Sequence, residues 1–198
     1  MIEPTPGRRE RKKAATRQAL ADAALELFLE RGYNGFTVRD VADAADVSTS
    51  TLFKYFASKE ALLFDREGEQ EQFLVTAVRD RPAGQSIPQA LRELVLRAGI
   101  GIAGSPPDPR FARFLELIEQ TPALRAYSAG MWKGHQDALA HAIALESGAP
   151  EDDPGCAALA RFVLETPSLA RSQADPRRAV DAAFDLLEQG WTATRPTD

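Results

Sequence analysis

Residues 37–56 read TVRDVADAADVSTSTLFKYF, and the spacing of their apolar positions decides the fold. Thr37 and Asp40 stand three apart, a capping-box spacing with Asp in place of the usual Glu or Gln. A helix is therefore expected from Val38 to Ala45, burying Val41, Ala42 and Ala45. Asp46-Val47 interrupts the pattern, and Ser48 is of the type that caps a new helix. That helix is expected to reach about Tyr55, with Leu52 and Phe56 turned inward. Helices of seven or eight residues are marginal in isolation, so this pair must be held by neighbours, as in a helix-turn-helix.

Upstream, a long helix is expected from about Arg9 to Arg31, with Ala15, Leu20, Ala24, Leu27 and Phe28 along one face and Gly32 as its stop. Tyr33-Asn34-Gly35 is a turn. Downstream, Ser58 caps Lys59-Glu60-Ala61, and one helix is expected to run through Leu62 and Leu63 toward Arg79. Beyond Arg81, Pro/Gly breakers separate amphipathic segments near 86–103, 108–120, 122–147, 154–170 and 175–191. Thr121-Pro122 and Asp175-Pro176 have the form of a cap followed by Pro at the first helical position. Strand-like alternation is nearly absent, so the fold class is all α, with about nine helices.

Composition narrows the function classes. A chain of 198 residues with 44% hydrophobic and 27% charged residues is ordinary for a globular protein. The apolar stretch from Leu94 to Ala103 is broken by Arg97 and falls short of the roughly 20 apolar residues a bilayer span needs. No apolar secretory region follows the basic N-terminal run, so a cytoplasmic location is expected. The single cysteine, Cys156, reads as a small buried hydrophobe, and two histidines, His135 and His141, make no metal cluster. No nucleophile–base grouping or glycine-rich phosphate loop emerges, which argues against an enzyme and against any cofactor.

The net charge of −5 is segregated. Residues 1–59 hold 10 Lys+Arg and 8 Asp+Glu, a balance of +2, and the remaining 139 residues hold 14 and 21, a balance of −7. Six of those ten cations fall between Arg8 and Arg17, with Glu10 the sole acid among them. Phosphate binding depends on a local positive surface, so an acidic body with a basic end suits contact with nucleic acid. A major groove about 12 Å wide admits one helix, and short polar side chains at its N-terminal end approach base edges without a clash. Ser48, Thr49, Ser50 and Thr51 fit that description, Lys54 offers a charge, and Tyr55 offers a hydroxyl.

From Ala15 to Leu63 the motifs run in a fixed order: ELF-x-ERGY, TV-x-D-VA-x-AA, V-S-x-x-TL and YF-x-SKE-x-LL. This stretch resembles the tetracycline-repressor (TetR) family of bacterial regulators. The resemblance implies a three-helix DNA-binding domain in residues 1–57 and a helical ligand-binding and dimerisation domain in residues 58–198. It places Thr49, Ser50, Lys54 and Tyr55 in the recognition helix, with Ser48 as its cap and a further candidate contact, Thr37 and Arg39 beside the backbone, and Lys59 at the start of the fourth helix. Phosphates at helix N-termini suit Thr37 and Lys59, and Arg11, Lys12 and Arg17 are expected along the backbone or in the adjacent minor groove. Two positions depart from the family pattern. Asp46 stands where Gly is usual, and Asp tolerates a left-handed turn better than most residues. Phe53 stands where Tyr is common and lacks the hydroxyl for a phosphate contact.

The same resemblance implies a homodimer on palindromic double-stranded operator DNA, released by a small-molecule effector; an activator, or control by a protein partner, is the alternative. The last two segments would carry the dimer interface, on Leu159, Phe162, Val163, Val180, Phe184, Leu187 and Trp191. Phe111, Phe114, Leu117, Ile118, Trp132, His135 and Gln136 mix aromatic surface with polar groups in the manner of an apolar ligand cavity.

Overall fold

A computed structural model describes residues 7–65, 67–98 and 109–189. They form ten α-helices and one 3-10 turn, Tyr33–Gly35, with no strand among the described residues. The chain divides into two compact units, residues 1–66 with 108–129 and residues 67–107 with 130–198. The division differs from the expected boundary at residues 57 and 58. The fourth helix buries Leu62 in the same core as Leu20 and Phe28, so the first unit extends past Phe56.

In the first unit α1 (Arg8–Arg31) is the central support. Leu20, Ala21, Ala24, Leu27 and Phe28 form its buried stripe, and Ala15, expected on that stripe, is exposed. Gly32 ends α1 at φ +70°, a left-handed backbone that glycine adopts without a Cβ clash, and its N–H donates to the Phe28 carbonyl. Gly35 is required for a different reason, since a Cβ there would lie 2.6 Å from the Cβ of Arg31. Packed on α1 are α2 (Val38–Ala44), α4 (Lys59–Leu63) and α7 (Pro109–Gln120), while α3 (Thr49–Leu52) packs on α2. Phe28 meets the Phe114 ring edge-on at 5.7 Å, and Phe64 stacks on Tyr127 at 5.3 Å. Each fully buried Leu or Phe contributes roughly 1.5–3 kcal/mol.

The second unit consists of α5 (Glu67–Arg79), α6 (Ile87–Ala98), residues 130–147 of α8 (Pro122–Ser147), α9 (Pro154–Arg171) and α10 (Pro176–Gln189). Val78, Leu91, Leu139, Ile143, Val163, Val180 and Phe184 fill its core. Arg92 of α6 fastens α10 by pairing with Asp181 at 2.6 Å and Asp185 at 3.1 Å. Cys156 is buried as a small hydrophobe, and burial pushes its thiol above the ordinary range.

Two helix boundaries differ from those expected. The helix expected from Lys59 toward Arg79 is two helices, α4 and α5. At Phe64 the backbone leaves helical geometry, and the Phe64 ring packs on Phe114 and Tyr127 while Asp65 pairs with Arg17. Tertiary contacts here override a sequence with good helix propensity. The third helix ends at Leu52 and not at Tyr55, because Lys54 and Tyr55 donate to carbonyls three residues back and tighten the chain into turns. The segment expected near 86–103 is helical over 87–98, and residues 99–108 lie outside the described residues.

Candidate nucleic-acid interface

The α2–α3 pair is assembled by local hydrogen bonds that the sequence specifies. The Thr37 hydroxyl accepts from the Asp40 N–H at 3.2 Å, and the Thr37 N–H donates to Asp40 Oδ2 at 2.7 Å, a complete capping box. These bonds from Thr37 hold the Asp40 carboxyl below its ordinary range. At the other end, the N–H of Val47 donates to Ala42 and that of Asp46 to Asp43, the two bonds of a Schellman motif. The residue at its left-handed position is Asp46, at φ +52°. Ser48 then caps α3 by accepting from the Thr51 N–H at 3.1 Å.

The hydroxyl end of α3 faces outward. Ser48 and Ser50 are exposed and Thr49 and Thr51 half-buried, while Leu52 and Phe56 are buried against the scaffold. The Ser48 hydroxyl lies 2.9 Å from those of both Ser50 and Thr51, so the cap also organises the exposed cluster. Phe53, at the C-terminal end of α3, is 52% exposed.

Beside this end runs a concave groove between α1 and the helix-turn-helix. Arg9, Lys12, Lys13, Ala15, Thr16 and Ala19 line it from α1, Ala45, Asp46 and Val47 from the turn, and Thr51, Lys54 and Tyr55 from α3 and the turns after it. The four cations are exposed, which gives the groove a positive surface in contact with water. Arg11 is also exposed on the first turns of α1.

The structure separates the expected DNA-contacting cations into two groups. Lys12 and Lys54 stand in the groove, whereas Arg17 and Lys59, both part-buried, are engaged by groups of their own unit. Arg17 donates to the carbonyls of Tyr55 and Asp65, each at 3.1 Å, pairs with the Asp65 carboxylate at 2.7 Å and lies over the Phe56 ring at 4.5 Å. Lys59 donates to the carbonyls of Tyr33 and Phe36 and sits over both rings, 4.3 and 4.0 Å from their centroids. Burial lowers the pKa of its ammonium, opposed by the charges of Glu60 and Asp40. Beside it the Tyr33 phenol donates to Glu60, and burial together with that carboxylate pushes the phenol up to about 12. Sequence gave no sign of these clamps, whose partners are as far as 48 residues away. Thr37, expected beside the DNA backbone, has its hydroxyl and its N–H both engaged by Asp40. Arg39 is exposed, 3.9 Å from Asp43 one turn on.

The residues expected around a ligand fall into separate units. Phe114, Leu117 and Ile118 pack in the first unit's core, and Phe111 is exposed there. Trp132, His135 and Gln136 belong to the second unit, where the indole stands edge-on to the buried imidazole at 5.5 Å. The expected dimer stripe also splits. Val163, Val180 and Phe184 are buried in the core of their own unit, whereas Leu159, Phe162 and Leu187 are half-buried. Trp191 lies outside the described residues. Among the described residues no cluster of His, Cys, Asp and Glu has the makings of a metal site, and no helix is long and apolar enough to cross a membrane.

Residues 20–65, which carry this head, match the family described as bacterial regulatory proteins, tetR family, and residues 85–192 match the MftR C-terminal domain. The chain belongs to the TetR family of transcriptional regulators. It is 34% identical over 152 residues to the HTH-type transcriptional regulator TcmR of Streptomyces glaucescens, covering 75% of this chain and 67% of that protein. It is 31% identical over 153 residues to the regulator MftR of Mycobacterium tuberculosis, covering 76% and 75%. Its fold is similar to that of Bacillus subtilis FadR, solved in complex with stearoyl-CoA, with a TM-score of 0.54 at 21% identity over 88% of this chain and 99% of that one. TetR-family regulators bind DNA through the helix-turn-helix and are not enzymes.

Proposed function

We propose that this regulator is a repressor that holds a palindromic operator as a homodimer and leaves it when a small-molecule effector binds. The observation that carries the reading is the outward-facing hydroxyl end of α3 beside a groove lined by Arg9, Lys12, Lys13 and Lys54. Thr49 and Ser50 are the base readers, Ser48 is chiefly the cap, and the groove cations with Arg11 hold phosphates, which fix register and supply the salt-dependent part of affinity. One such head reads few base pairs, so two copies on repeated half-sites are needed. The paired faces of α9 and α10 supply the contact, through half-buried Leu159, Phe162 and Leu187 and through Leu169, which is 51% exposed.

For the effector we assign Trp132, His135 and Gln136, which stand within about one turn of α8 and join an aromatic surface to polar groups. The acyl thioester bound by the FadR neighbour makes stearoyl-CoA a natural first probe. An effector releases DNA only if it binds the DNA-free arrangement more tightly. Selection of bound duplexes from a random pool tests the first part, with a palindromic consensus as the expected outcome, and an unenriched pool refutes sequence-specific reading. Titrating stearoyl-CoA and shorter acyl chains against the selected duplex then tests release.

A further inference from the structure

Asp46 combines three features. Its backbone is left-handed, and it is the only non-glycine residue with positive φ among those described. Glycine would adopt this conformation at less cost, and Asp is among the few other residues that tolerate it. Both Schellman bonds use its neighbours' and its own backbone groups, and no hydrogen bond or ion pair to its carboxylate is seen among the described residues. It is exposed and is the one acid lining the groove that carries Arg9, Lys12, Lys13 and Lys54.

We propose that Asp46 is an affinity-setting residue whose carboxylate repels DNA phosphates from the groove, so that cationic contact alone does not retain arbitrary duplex and lasting occupancy requires base contacts at Thr49 and Ser50. This rests on the assignment of the groove to the DNA backbone. A unit charge about 7 Å from a phosphate in water changes affinity by roughly two- to threefold, and proximity to two or more phosphates brings the change to roughly three- to tenfold at low ionic strength. Screening diminishes it as salt approaches physiological levels.

The test uses the full chain and a fluorescent duplex of random sequence, with D46N and D46G beside the wild type. Asn keeps the short polar side chain that tolerates the left-handed turn while removing the charge, and Gly removes both charge and strain. Both variants are expected to bind random duplex roughly three- to tenfold more tightly at low salt, with the gain shrinking as salt rises, and D46N is expected to melt within about a degree of the wild type. If D46N binds random duplex within twofold of the wild type, the proposal is overturned while the DNA-binding reading stands. If D46G alone gains affinity, the effect belongs to the backbone and the proposal also fails. A wild-type protein that retards no duplex overturns both.

Discussion

Replacing Lys59 by Met separates two roles for this lysine by opposite signatures. Met keeps most of the apolar stem over the Tyr33 and Phe36 rings but removes the ammonium that donates to their carbonyls. Hydrogen bonds to a charged group contribute roughly 1.5–3 kcal/mol, and part-buried carbonyls left without a partner add to the loss. Water reaches some of this region, since Lys59 is only half-buried, so the expected destabilisation is about 2–4 kcal/mol. For a chain of this size each kcal/mol moves the melting temperature by roughly 2–4 °C, so Lys59→Met is expected to lower it by roughly 5–15 °C. The melt is followed by far-ultraviolet circular dichroism at one protein concentration, because the proposed homodimer would make it concentration-dependent. At a temperature where the variant is folded, the slope of log affinity for DNA against log salt is expected to match the wild type. A phosphate contact would give the reverse, an unchanged melt and a slope reduced by about one unit. That result would refute the clamp.

Tyr33→Phe tests the neighbouring bond in alkali. The folded phenol, pushed up to about 12, keeps its proton where an unfolded one at 10.0 has lost it, so this contribution to stability is full below about pH 10 and is lost as pH rises toward 12. The variant is expected to lose stability less steeply over that window, and the wild-type-minus-variant absorbance at 295 nm should rise near pH 12; a rise near pH 10 counts against the buried bond. Ser48→Ala removes the cap of α3 and is expected to cost about 1 kcal/mol in a thermal melt. Ser50→Ala should leave the melt nearly unchanged and shift base preference in a duplex selection by roughly 1–3 kcal/mol at one position. If the two serines exchange these effects, cap and reader have been assigned the wrong way round.

Much of the head is legible because its determinants are local. Thr37, Asp40 and Ser48 act on groups three residues away, and the left-handed turn at Asp46 follows from a stopped helix with a residue able to tolerate it. The buried faces of α1 and α2 follow from apolar spacing. The break at Phe64 is illegible for the opposite reason. Residues 59–79 carry no breaker besides Gly68, and the interruption coincides with packing on Phe114 and Tyr127, which lie far along the chain. The apolar stripe on the last two helices is read only in part, because periodicity marks an apolar face without saying whether the subunit's own core or a partner covers it, and the core takes up Val163, Val180 and Phe184.

The cations show the same limit in a form that bears on function. A balance of +2 over residues 1–59 treats every Lys and Arg as available to phosphate, yet Arg17 and Lys59 are engaged by carbonyls of the head itself, and Arg31 and Arg39 stand beside Glu30 and Asp43. What faces the groove is the first turns of α1 with Lys54. The positive field is therefore concentrated on an exposed helix end with few packing contacts of its own, whose first buried residue is Leu20. Neutralising Arg9, Lys12 and Lys13 together should consequently leave the fold intact while lowering the salt slope by about two to three units. Loss of affinity with an unchanged slope would place the phosphate contacts elsewhere on the head. The two groups of cations differ in what they touch, not in residue type or in their spacing along the chain, and only the packed structure tells a clamp from a contact.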